Sequence, residues 1–180
     1  AELDQFEGHD PVQALQRQCD RARALGFDGL NLSLMDWEIA RRIQPVSERL
    51  ACADALLAEL RRNNARGARL AKALLEIAEV RAEANAPQWE CLAAESARLL
   101  RRGCTNAMLH LPEGLLRCAR LIRLHDPREA AALVHVARRW VDNALRHLPP
   151  GAEAGFTRNV VVNRLLLGSD EQAVYQQPLR

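Results

Sequence analysis

The side chains best equipped for chemistry are five histidines (His9, His110, His125, His135 and His147) and five cysteines (Cys19, Cys52, Cys91, Cys104 and Cys118). A metal site usually draws ligands in close pairs, so that one turn of chain delivers two donors to one ion. No CxxC or HxxxH pair is present, and Cys118 with His125 or Cys104 with His110 come nearest to one. Cys19 and Cys118 fall on apolar stripes, where cysteine acts as a small hydrophobe. There is no glycine-rich phosphate loop and no nucleophile elbow. Asp36 and Glu38 would point in different directions on a helix, which makes them a poor acid–base pair. His147 ends a helical stretch and is placed to meet the free carbonyls there. The expectation is a chain with no catalytic residue, no metal and no cofactor.

Arginine is the other chemically loaded residue. Lys72 is the only lysine, and the net charge is just +2. Arg61, Arg62, Arg66 and Arg69 cluster, as do Arg101 with Arg102 and Arg138 with Arg139. Glu59, Glu76, Glu79, Glu83, Glu90 and Glu95 are interspersed. A nucleic-acid binder concentrates its basic charge on one face, so nucleic acid is not the expected partner. Mixed signs on the polar faces also differ from a basic interfacial helix, and no membrane partner is expected. Arg61, Arg98, Arg101 and Arg138 are the candidate contacts for a carboxylate-bearing partner.

The elements that would carry these residues are helical throughout. The hydrophobic fraction of 48% and the aromatic fraction of only 4% point to alanine- and leucine-packed helices. The clearest element starts at Asp126-Pro127, with aspartate as N-cap and proline at the first helical position. Ala130, Leu133, Ala137, Trp140, Val141 and Ala144 then recur in steps of three and four, giving one apolar face. Pro149-Pro150-Gly151 stops that helix. A single further helix is expected beyond it, through Phe156, Val160, Asn163 and Leu167. Upstream, Asp10-Pro11 starts a first helix that Gly26 closes. Others are expected from Asn31 or Ser33 to Ile43, from Val46 to Asn63-Asn64, from Ala65 to Ala84, around Trp89 to Gly103, and from Pro112 through Ile122. The Cys104–Leu111 stretch is the one loop without a helical pattern. Residues 1–9 are expected to be frayed and 169–180 to form a disordered tail, leaving 10–168 as the folded domain.

Starts near Val46, Gln88 and Arg128 recur at roughly 40 residues, the period of helix-pair repeats. The fold class expected is all-α, with antiparallel helix pairs stacked as an α-solenoid. A compact globular bundle is the alternative. Trp37, Trp89 and Trp140 lie on apolar stripes and are expected in the core. Asn159 and Asn163 share a helix face and are expected to donate to the corner His147-Leu148-Pro149-Pro150, with Arg164 pairing to Asp142.

The C-terminal hairpin carries a resemblance. Asp126-Pro127, the Trp140 helix, His147-Leu148-Pro149-Pro150, Phe156-Thr157-Arg158-Asn159 and Val162-Asn163-Arg164-Leu165-Leu166 resemble the C-terminal end of tetratricopeptide-like regions in large bacterial signalling ATPases and transcriptional regulators. Where that pattern often has a proline, this chain has Val160 or Val161. The resemblance covers about a quarter of the chain. It implies a non-catalytic repeat module attached to a nucleotide-binding or DNA-binding part. Ala1 in place of methionine fits a piece of a larger protein. The expected function is cytoplasmic protein–protein interaction or the sensing of a small-molecule effector, and a homodimer is compatible with it. The alternatives are a nucleic-acid-binding helical protein and a small metal or thiol enzyme. Odd cysteine number and no apolar leader argue against a disulfide framework.

Overall fold

The computed structural model describes residues 11–102, 111–158, 160–168 and 171–176. The expected frayed start, the Cys104–His110 stretch and Asn159 lie outside them. All regular structure among the described residues is helical: α1 (Pro11–Ala24), α2 (Leu30–Ile43), α3 (Val46–Arg62), α4 (Gly67–Glu83), α5 (Trp89–Arg102), α6 (Leu111–Ile122), α7 (Pro127–Leu145), α8 (Glu153–Arg158), α9 (Val161–Leu167) and α10 (Glu171–Gln176). An all-α protein is therefore what the chain encodes.

The helix ends follow from local chemistry. Asp126 caps α7 by accepting from the Glu129 amide at 2.9 Å, with Pro127 in the first turn. Three C-termini close with the same pair of backbone bonds. After α1, Phe27 N–H donates to Ala22 O and Gly26 N–H to Arg23 O; after α3, Ala65 donates to Leu60 and Asn64 to Arg61; after α4, Ala86 donates to Arg81 and Asn85 to Ala82. Each is a Schellman motif, which needs one residue in the left-handed region. Gly26 (φ 76°), Asn64 (φ 48°) and Asn85 (φ 50°) supply it.

Two expectations are corrected. The helix after Pro150 is broken rather than continuous, because Val160 is extended (φ −94°, ψ 104°). In an unbroken helix the Phe156 carbonyl would accept from the Val160 amide. Here it accepts from the Asn163 side chain at 3.0 Å, so an asparagine amide takes the backbone donor's place. Val161 becomes the first residue of α9, a position that also suits proline. The second correction concerns residues 171–176, expected as disordered tail. They form α10, and Val174 is only 1% exposed. The polar flanks hid this one apolar anchor.

The described residues divide into two compact units, Ala1–Ala65 with Val80–Ala86, and Arg66–Glu79 with Pro87–Arg180. In the first, α1 packs on α2 and α2 on α3. Cys19, Trp37, Ile39, Ala40, Leu56 and Leu60 form its core. Arg49 of α3 reaches Glu83 at 2.7 Å, and Arg81 pairs with Asp54. In the second, α6 packs against α5, α7, α9 and α10. Gly114 lets α5 and α6 approach closely, since a Cβ there would lie 3.0 Å from a Leu100 methyl.

Candidate interaction surface

The four arginines expected to meet a partner do not act alike. Arg61 is exposed, and Arg98 is exposed with Glu95 of its own helix 3.8 Å away. Arg101 pairs across helices with Glu129 at 2.9 Å. Arg138 is half-buried and donates through Nε to the Leu166 carbonyl at 2.9 Å, where α9 is ending. Capping that carbonyl satisfies an acceptor the helix leaves open. Arg138 thus serves a helix end, whereas Arg61, Arg98 and Arg101 are exposed, the last of them paired with Glu129.

The tryptophans divide as well. Trp37 is buried, 2% exposed, whereas Trp89 and Trp140 are half-buried. Trp89 meets His125 edge-on, with ring centroids 4.8 Å apart and planes at 75°. An apolar stripe tells which face turns inward but not whether a bulky ring at its edge is covered. Among the asparagines, Asn163 is 3% exposed and donates to Phe156 O, not to the Pro149-Pro150 corner. Arg164 is exposed, and the expected pair with Asp142 is not formed. His147 Nδ1 lies 2.8 Å from Asn143 O, in the last turn of its helix. Replacing Asn163 with alanine leaves the half-buried Phe156 carbonyl without its donor at the α8–α9 break, so stability falls by about 1 kcal/mol. A denaturant titration checks this, and glutamine at 163 should not restore it because its longer arm misplaces the amide.

Two buried polar side chains in the second unit meet each other. The Cys118 thiol points to Ser96 Oγ at 3.8 Å, and Ser96 donates to Ala71 O at 2.6 Å, linking α6, α5 and α4. Burial pushes the Cys118 thiol up to about 11, against the opposing pull of the Ser96 hydrogen bond. Burial, then Asp36, also raises the Cys19 and Cys52 thiols. Thiols held high stay protonated at neutral pH and are poor nucleophiles. A raised folded-state value means that the native protein keeps a proton the unfolded chain gives up. The resulting stability is whole below about pH 9 and is lost as pH rises toward 11, by roughly 2–3 kcal/mol. Unfolding free energies measured at pH 8 and pH 11 should show that drop, and Cys118→Ala should remove it.

Arg117 is a half-buried cation of the second unit. It grips Glu79 through Nε at 2.8 Å and through Nη2, and its Nη1 is 3.8 Å from Glu113. Desolvation pulls its guanidinium down, but the bond to Glu79 and the charges of Glu79, Glu76 and Glu113 outweigh it and hold the value up. Glu59 is similarly committed in the first unit, accepting from Asn63 Nδ2 at 2.7 Å and pairing with Arg62. No group of three or more His, Cys, Asp or Glu side chains among the described residues is arranged to hold a metal ion. No helix among them is long and apolar enough to cross a membrane.

Large apolar side chains also face outward. Leu25 is 67% exposed and Phe27 65% exposed, on either side of Gly26 at the α1–α2 corner. Phe27 is the residue just past Gly26 in the Schellman motif, and its backbone is fixed by the bond to Ala22. That position commonly turns a hydrophobe back onto its own helix. Here the ring stays in solvent. The sequence signal was present in Gly26-Phe27-Asp28-Gly29, which reads as a turn, yet nothing in it says that the aromatic faces outward. Leu124, 91% exposed, occupies the α6–α7 turn beside His125. No family model matches this chain, and neither a curated protein nor a solved structure is found to be similar to it.

Proposed function

We propose that this chain is a non-catalytic helical-repeat module, its helix pairs stacked in a tetratricopeptide-like solenoid, that binds a protein partner within a larger cytoplasmic regulator of signalling or transcription. The observation that carries the proposal is the Leu25–Phe27 corner. Aromatics make up only 4% of the chain, and one of them is held in water on a rigid turn. A rigid aromatic loses little conformational freedom on binding and so makes an efficient anchor. Arg21 of the preceding turn is exposed and adds a positive charge, while Arg23 is paired with Asp20 and Asp36. The resemblance of the C-terminal hairpin to regulator repeat regions supports the same reading.

The test replaces Leu25 and Phe27 together with serine. Exposed side chains contribute little to the fold, so the melting temperature should move by less than about 2 °C. Capture of the wild-type chain's stoichiometric partner should fall by at least about tenfold, the loss of one anchor residue. Equal capture by both proteins would remove the corner from the proposal.

A further inference from the structure

The seat of α10 contains an acceptor that is too small for its donor. Arg120 of α6 donates through Nε to the Val174 carbonyl at 2.8 Å. Its Nη2 is buried and has no hydrogen-bond partner. Val174 itself is 1% exposed, with α10 packed on α6 and α9. One residue on, Tyr175 lies under the Arg123 guanidinium, 4.3 Å from the ring centroid. A neutral peptide carbonyl therefore sits where a two-pronged donor points, directly after an enclosed aliphatic side chain.

A guanidinium presents its donors as a planar fork that fits both oxygens of a carboxylate. A chain that ended at the valine would place a carboxylate there instead of a carbonyl. One oxygen would keep the Nε bond, and the second would reach the orphaned Nη2. We propose that the α6–α9 seat is a binding site for the free C-terminus of a peptide ending in an aliphatic residue, and that α10 occupies it in cis. The occupant in cis is easily displaced. α10 has six residues, far below the length at which a helix holds itself together. Its described anchors include one buried valine, one hydrogen bond from Arg120 and one cation–π contact. Arg120 has no acidic partner among the described residues, and burial lowers its guanidinium below the ordinary value. An incoming carboxylate relieves that cost as well as filling the fork. Arg123, released from Tyr175, adds a second positive charge at the rim. This site is separate from the Leu25–Phe27 corner, so its failure leaves that reading untouched.

The probe is an acetylated peptide with the sequence of residues 169–174, made once with a free C-terminal carboxylate and once as the amide. Binding to the full chain is followed by fluorescence anisotropy of an N-terminal dye. The free acid should bind about tenfold or more tightly than the amide, as a bidentate charged pair replaces a single neutral bond. Val174→Lys in the full chain should empty the seat and raise affinity for the free acid, with an unchanged helical circular dichroism spectrum. Arg120→Gln should abolish the preference for acid over amide. Equal binding of acid and amide, or a preference that survives Arg120→Gln, overturns the proposal. So does the absence of binding to a correctly folded Val174→Lys chain.

Discussion

Trp37→Ala should cost the first unit about 3–5 kcal/mol, the usual loss when a fully enclosed tryptophan is cut to a methyl. Its ring is 2% exposed on α2, a helix that packs on both α1 and α3, so neither neighbour can close the space without moving the other. The unit would unfold at a markedly lower denaturant concentration, with its slope little changed. Trp140→Ala is the control. Its ring is only half-buried on α7, and the same substitution should cost less than about 3 kcal/mol. Equal losses at the two positions would show that burial does not set the scale here.

The second large effect is expected at Arg117. Removing one member of an enclosed ion pair strands the other, which is far costlier than the pair itself is stabilising. Arg117→Met keeps the apolar stem but leaves Glu79 without its cation, beside Glu76, which is 5% exposed. Glu79 keeps some contact with water, so the loss should be about 3 kcal/mol, the low end for such pairs. Adding Glu79→Gln should recover part of it, because a neutral amide needs no counter-charge. A double-mutant cycle measures that coupling. Simple additivity of the two losses would mean that the pair is no unit.

Helix ends were readable because the chemistry that sets them is local. Asp126-Pro127, Pro45, Gly26 and the Asn63-Asn64 step each satisfy or block backbone groups within one turn, and the helices start or stop there. What could not be read depends on residues far apart in sequence. Arg138 was legible as an arginine on a polar face, but its role is set by Leu166, 28 residues on. Arg117 and Glu79 are 38 apart and were unremarkable until the fold joined them. The α8–α9 break lay between these cases. Asn163 was recognised as a polar residue on an apolar stripe that must donate to something. Its acceptor turned out to be the carbonyl exposed by the break itself, which a continuous-helix reading could not contain. Phe27 shows the same limit from the other side, since a turn residue's exposure is decided by what fails to pack against it.

The reading of this chain as a protein-binding module is tested most directly by placing a photo-crosslinking phenylalanine analogue at position 27 and irradiating cells that express the chain. The account predicts a discrete covalent adduct with one partner protein. The same analogue at exposed Arg98, a residue of the second unit, should not give that adduct. Irradiation that yields no adduct at position 27, or the same adducts from both positions, would contradict it.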